Sequence, residues 1–108
     1  MNPWLALAGA IVLEVSGTIS MKLSEGFTKL IPSVLIFVFY VASFALLTLA
    51  LKKIDVGVAY AVWAGVGTAL IAVVGIVYFE EPLSALKVFS IFLIIAGVIG
   101  LNISGSKY

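Results

Sequence analysis

Four long apolar stretches, separated by short polar segments, run the length of the chain. Each is close to the ~20 residues that an α-helix needs to cross a hydrocarbon core of about 30 Å. The stretches are continuously apolar rather than alternating, which is not the pattern of a transmembrane β-barrel. The pattern predicts an all-α integral membrane protein with four transmembrane helices, over residues 4–21, 30–51, 56–79 and 86–105.

The polar segments between the spans are too short to hold a soluble domain. We therefore expect a single transmembrane domain over residues 1–108, with helices that alternate in direction as an up-down-up-down bundle. Four helices enclose little space, so a homo-oligomer in the lipid bilayer is the expected form. The first span lacks the basic start of a cleavable signal peptide and is expected to remain in the mature protein.

Composition supports this class and narrows the chemistry. The chain is 64% hydrophobic and 10% charged, against ~45–50% and ~25% in soluble proteins. It contains no cysteine and no histidine, which excludes disulfides and Cys/His metal sites. We predict no cofactor, and the absence of a basic cluster argues against nucleic acid as a partner.

The lysines bear on orientation in the membrane. Four spans place the N-terminus, the second loop and the C-terminus on one side, with the first and third loops on the other. Each side carries three lysines, so the positive-inside rule predicts no preferred orientation of the protein in the membrane. Either a small bias is invisible in so low a count, or copies insert both ways and pair antiparallel. The two sets are Lys52, Lys53 and Lys107 against Lys22, Lys29 and Lys87.

Glu14 is the charged residue that interrupts the first span. It precedes Lys22 by eight residues, or ~12 Å along a helix. Such a charge costs at least ~2.5–3.5 kcal/mol to insert, and intramembrane charges usually face a polar pathway. A bound cation would favour the ionised carboxylate and release its proton, which provides a basis for cation–proton exchange. The alternative is a structural carboxyl that is protonated or hydrogen-bonded to a neighbouring helix.

Small and aromatic residues supply candidate surroundings for Glu14. Offsets of −4, +3, +4 and +7 place its neighbours on the same helix face, and Thr18 could hydrogen-bond to the carboxyl. Deep aromatics suit organic cations, with cation–π attraction of ~0.5–2 kcal/mol each. In the absence of Glu14, ordinary helix packing would explain the small neighbours equally well and would be the better explanation of the aromatics. The neighbours are Ala10, Gly17, Thr18 and Met21, and the aromatics are Tyr40, Tyr60 and Trp63.

Glycines in the third and fourth spans have two interpretations. Gly65 and Gly67 predict either a flexible point for alternating access or close helix contact. The fourth span has small residues at helical spacing and no central charge, which indicates a dimerisation helix that includes Ser90 and Gly97. The remaining acidic residues are expected to be solvated at loops and helix ends: Glu25, Asp55, Glu80 and Glu81.

Together these segments resemble the small multidrug resistance transporters. The resemblance covers essentially the whole chain, through LEVSGTISMKLSEGFTKLIPS, the second-span Tyr40 and VGVAYAVWAGVGTA. It implies an antiparallel, dual-topology homodimer that exchanges protons for hydrophobic cations in the bacterial inner membrane. It also implies that Glu14 of both subunits binds substrate and protons. Thr18, Tyr40, Tyr60 and Trp63 would line the pocket.

The resemblance extends to a branch of the family. Gly17 resembles the quaternary ammonium branch, which has glycine at this position, whereas the guanidinium-exporting branch carries tryptophan there. Ser90 stands where some relatives have glycine in a dimerisation motif, which puts the interface details in doubt. Two rival hypotheses remain: a guanidinium-type exporter, and a non-transporting assembly subunit in which Glu14 is structural.

Overall fold

The computed structural model describes residues 2–104 and contains four long α-helices in that range. Helix α1 spans Pro3–Leu23, α2 Leu30–Ala50, α3 Val56–Val77 and α4 Ala85–Ser104. All four are long and apolar enough to cross a membrane, which confirms the predicted all-α membrane protein. Residue 105, at the predicted end of the last span, lies outside the described residues. Lys107, which the comparison of lysines on the two sides of the membrane includes, also lies outside them.

Local signals explain where the helices begin. The Asn2 side chain accepts a hydrogen bond of 2.8 Å from the Trp4 backbone N–H, and Pro3 takes the first helical position. Both are typical of a helix N-terminus, where backbone donors lack intrahelical partners. Ser84 plays the same part for α4 by accepting a 3.1 Å hydrogen bond from the Lys87 backbone N–H.

Within the described residues the four helices form a layer. Helix α1 packs against α2 on one side and α3 on the other, and α4 packs against the far side of α3. The subunit measures 45 × 35 × 16 Å, and four helices spaced ~8–10 Å apart account for the 35 Å width. A uniformly apolar pattern cannot distinguish a layer from a bundle, because lipid-facing and packed positions are equally apolar.

Burial is concentrated in α1, which lies inside the layer. Its buried residues include Leu7, Ile11 and Val15, which pack with residues of α3 such as Ala59 and Val62. Helix α4, by contrast, has no buried residue. Glu14 therefore lies on the more buried of the two inner helices of the layer.

Candidate functional site

Glu14 is half-buried near the middle of α1, where it faces a cavity against α3. It lies nine residues before Leu23, the end of the helix, which is ~14 Å along the axis. The cavity has a volume of about 270 Å³. Its lining combines the carboxylate with hydroxyl, aromatic and small side chains: Glu14, Thr18, Trp63, Ala64, Gly67, Thr68 and Ile71.

A chain of hydroxyl groups ends on the Glu14 carboxylate. Thr18 Oγ1 donates to Glu14 Oε1 over 3.1 Å, as the four-residue spacing predicts. Thr18 Oγ1 also lies 2.7 Å from Tyr40 Oη, and either atom could be the donor. The Tyr40 hydroxyl has a second partner in Met21 Sδ, at 3.8 Å. Helices α1 and α2 therefore hold one carboxylate oxygen through a continuous polar chain.

The other carboxylate oxygen faces the backbone of α3. Gly67 is buried, and a Cβ atom built on it would lie 3.2 Å from Glu14 Oε2. Even an alanine at this position would press on the carboxylate. Gly67 therefore leaves room for Glu14, a relationship that the sequence pattern did not identify.

Gly17 gives similar room to Tyr40. A Cβ on Gly17 would lie 2.9 Å from Tyr40 Cε2 and 3.0 Å from its Cδ2. The Cδ2–Cε2 edge of the tyrosine ring thus packs against α1 one residue before Thr18. A tryptophan at position 17 would require the ring to move away.

Aromatic side chains connect the cavity to α2. Trp63 lines the cavity, and its ring lies 5.5 Å from Tyr60 and 6.3 Å from Phe44, centroid to centroid. Phe44 in turn lies 5.9 Å from Tyr40. Sequence reasoning identified three of the four rings and missed Phe44, whose contribution depends on how α2 and α3 are placed. Tyr60 belongs to this group but is 60% exposed and does not line the cavity.

The indole nitrogen of Trp63 is buried without a hydrogen-bond partner among residues 2–104. Buried donors are nearly always paired in folded proteins, and leaving one unpaired costs free energy. A donor of this kind beside a cavity is available to a ligand or to a second copy of the chain.

Ala10 lies in the interface with α2 rather than in the cavity lining. It is fully buried, and its carbonyl oxygen accepts a 2.6 Å hydrogen bond from Ser43 Oγ. Ala10 O is also the carbonyl that a helical backbone pairs with the N–H of Glu14, four residues later. Ser43, which the sequence did not single out, therefore ties α2 to the turn that carries Glu14.

The remaining predicted residues lie away from the carboxylate. A Cβ on Gly65 would lie 2.8 Å from Val98 Cγ2, so this glycine allows α3 and α4 to pack closely. Ser90 is half-buried and Gly97 is exposed on α4, with open space where a Cβ would be.

Known proteins are similar in sequence to this chain over most of its length. A family model described as "Small Multidrug Resistance protein" matches residues 2–94. "Uncharacterized membrane protein YvaE" of Bacillus subtilis (strain 168) is 61% identical over 100 residues, which cover 93% of this chain and 84% of that protein. "Multidrug transporter EmrE" of Escherichia coli (strain K12) is 47% identical over 103 residues, covering 95% and 94%. A "Guanidinium exporter" of Yersinia pseudotuberculosis serotype I (strain IP32953) is 43% identical over 101 residues, covering 94% and 97%.

Proposed function

The chain belongs to the small multidrug resistance family of secondary transporters, and from that premise we propose that it exports hydrophobic and quaternary ammonium cations in exchange for protons. One observation carries the proposal. A single intramembrane carboxylate, Glu14, faces a cavity with an aromatic wall while a hydroxyl chain supports it from behind. Carboxylate and aromatic groups together attract an organic cation, and the carboxylate alone takes a proton.

The hydroxyl chain supports both occupied states of Glu14. Each hydroxyl has one proton to donate. When Glu14 is ionised, Thr18 donates to the carboxylate and Tyr40 donates to Thr18. When Glu14 carries a proton, the carboxyl donates to Thr18, the chain reverses, and Tyr40 donates to Met21 Sδ. Because both arrangements keep these hydroxyls paired, exchange of proton for cation leaves neither Thr18 nor Tyr40 without a hydrogen-bond partner.

Competition for Glu14 couples the two fluxes. A proton from outside displaces the cation, and a cation from the cytoplasm displaces the proton. Each pH unit across the membrane supplies about 1.4 kcal/mol per proton, and ~2.3 kcal/mol per charge comes from each 100 mV of membrane potential. These gradients are large enough to drive export from the bacterial inner membrane, where we place the protein.

The complete transporter in this proposal is an antiparallel, dual-topology homodimer. The layered subunit leaves α4 without a buried residue, and Gly97 exposes backbone on that helix. Small residues of this kind let transmembrane helices approach closely, so we assign Ser90 and Gly97 to the interface. The two Glu14 carboxyls then belong to one shared site.

Within that site the remaining residues have distinct roles. Trp63 forms the aromatic wall, with Tyr60 beside it, and Thr18 with Tyr40 orients Glu14. Gly17 accommodates Tyr40, and Ala10 holds the turn below the carboxylate. We also propose that Gly65 and Gly67 permit α3 to adjust as access alternates, since both allow close approach without a side chain.

A guanidinium exporter is the second candidate function, because one relative of that name is 43% identical. Family membership therefore does not select the substrate. Gly17 resembles the quaternary ammonium branch, and the contact of Tyr40 with Gly17 leaves no room for the tryptophan of the guanidinium branch. Proton movement provoked by guanidinium, with none provoked by tetraphenylphosphonium, would establish the second candidate.

Transport by purified protein in lipid vesicles tests the proposal. An acidic interior should drive accumulation of tetraphenylphosphonium by the wild type, and Glu14→Gln should abolish it while the variant still inserts. Glu80→Gln makes the same charge change at an exposed loop residue and serves as the matched control. Proton-driven accumulation by Glu14→Gln at the wild-type rate would refute the mechanism.

A further inference from the structure

A second cavity continues from the Glu14 cavity towards the membrane edge where α1 and α3 end. Its volume is about 210 Å³, and it shares Thr18 and Ile71 with the first cavity. Lys22 lies near its outer end, eight residues beyond Glu14, or ~12 Å along α1. The full lining is Thr18, Ile19, Lys22, Ile71, Ala72, Val74, Gly75, Phe79 and Glu81.

Glu81 reaches this cavity because the chain folds back after α3. The Tyr78 N–H donates to Val74 O over 2.7 Å, and the Glu81 N–H donates to Gly75 O over 2.9 Å. Glu80 adopts a left-handed conformation, with φ of 56°, between them. The sequence predicted a solvated Glu81, and the residue does keep considerable exposure. Its carboxyl group nevertheless lies over the α3 backbone.

Gly75 is the residue that makes this position possible. It is buried, and a Cβ atom built on it would lie 2.8 Å from Glu81 Cδ and 3.2 Å from Oε2. Any side chain at position 75 would displace the carboxyl group. The carboxylate of Glu81 therefore has a defined place in the fold, unlike that of the neighbouring Glu80, which lines neither cavity.

The outer cavity repeats the chemistry of the inner one. Each has one carboxylate, one aromatic ring and aliphatic walls, and Thr18 contributes to both. In the outer cavity the carboxylate is Glu81 and the ring is the half-buried Phe79. An organic cation would thus meet similar partners at two successive points between the membrane edge and Glu14.

We propose that Glu81 and Phe79 form an outer binding site for the organic cation, from which it passes Thr18 and Ile71 to reach Glu14. This inference rests on the proposed function. Lys22 makes the outer site weaker than the inner one, because it brings a positive charge to the same cavity and forms no salt bridge with Glu81 in the described chain. Weak binding suits a transit site, which must release its ion as readily as it accepts it.

Binding of tetraphenylphosphonium to the full-length protein in detergent provides the first test. Glu14→Gln removes the inner carboxylate, so binding to this variant reports the outer site. We expect weak residual binding that disappears in Glu14→Gln/Glu81→Gln and persists in Glu14→Gln/Glu80→Gln. Equal binding by the two double variants would overturn the outer site.

Rates in the presence of Glu14 provide the second test. A transit site on the way to Glu14 speeds both binding and release of the cation. Glu81→Gln should therefore slow association and dissociation of tetraphenylphosphonium by the same factor, about three- to tenfold. Stopped-flow tryptophan fluorescence measures both rates. Glu80→Gln should keep wild-type rates, and Gly75→Ala should reproduce Glu81→Gln without a change of charge. Equal slowing by Glu80→Gln and Glu81→Gln would show a general surface-charge effect and refute the site.

The two proposals fail in distinguishable ways. If the wild type binds tetraphenylphosphonium no more tightly than Glu14→Gln does, the transport function itself is contradicted. Intact Glu14-dependent binding, with unchanged rates in Glu81→Gln, contradicts the outer site alone.

Discussion

Gly67 of α3 faces Glu14 of α1 so closely that a Cβ atom on the glycine would lie 3.2 Å from the carboxylate Oε2. The same carboxylate accepts a hydrogen bond from Thr18 through its other oxygen. Glu14 is thus held between its own helix and the backbone of a neighbour. A change on either side, at Thr18 or at Gly67, therefore acts directly on the carboxylate.

Gly67→Ala should weaken cation binding without weakening the fold. The added methyl group presses on the carboxylate, and crowding of about 1 kcal/mol corresponds to a roughly fivefold higher Kd. Alanine is also the better helix former, so thermal stability should not fall. Titration with tetraphenylphosphonium and thermal unfolding in detergent measure the two effects.

Gly57→Ala is the matched control for this change, because no atom of another part of the described chain lies within 4 Å of a Cβ at that position. It should bind as the wild type does. If Gly67→Ala also binds as tightly as the wild type, the close contact with Glu14 does not limit the site.

Tyr40→Phe should shift the competition at Glu14 towards the proton. The substitution removes the hydroxyl that pairs with Thr18 in both states of Glu14. The ionised state loses more, because hydrogen bonds that support a charged group are stronger than those between neutral groups. A hydrogen bond contributes about 0.5–1.5 kcal/mol net, which predicts a roughly two- to twelvefold loss of cation affinity at fixed pH. Tyr78→Phe makes the same change on an exposed tyrosine outside the hydroxyl chain and should have no effect. Equal affinities for Tyr40→Phe and the wild type would exclude the chain from the exchange.

Several features of the site could be predicted from the sequence, and the reasons are local. The lengths of the apolar runs predict four spans, and a spacing of four residues places Thr18 beside Glu14. The Gly67–Glu14 contact, the Ser43 hydrogen bond to Ala10 and the position of Phe44 depend on which helix faces meet. In a membrane both packed and lipid-facing positions are apolar, so the pattern contains little information about those faces.

The position of the Glu81 carboxyl group over α3 could not be predicted from the sequence, for a different reason. It depends on a backbone turn at Glu80 and on the missing side chain of Gly75. Neither Glu80-Glu81-Pro82 nor the isolated glycine indicates that the two segments meet. A loop carboxylate is solvated in most proteins, and the sequence offered no reason to depart from that expectation.

Cation affinity should fall as pH falls, because protons compete for the Glu14 carboxylate. Where Glu14 is mostly protonated, each pH unit lowers the apparent affinity by up to about tenfold per displaced proton. Where it is ionised, affinity should be independent of pH. Binding of tetraphenylphosphonium across a pH series measures this dependence. Glu14→Gln should lose the high-affinity binding that shows this competition and keep only the weak binding assigned to Glu81. High-affinity binding by Glu14→Gln with the wild-type pH dependence would assign the competition to another group.

Gly97→Leu should disrupt the dimer and leave the subunit fold intact. Among residues 2–104, no atom beyond the surrounding helix turns lies within 4 Å of a Cβ at Gly97, so the larger side chain has room there. If α4 packs closely against a second copy, leucine forces the helices apart, and close packing of small residues is what holds such helices together. We expect more monomer by light scattering in detergent, together with loss of high-affinity tetraphenylphosphonium binding. Gly57→Leu adds the same side chain at another open glycine, on α3, and should remain dimeric. A stable, binding-competent dimer of Gly97→Leu would move the interface to a different face of the layer.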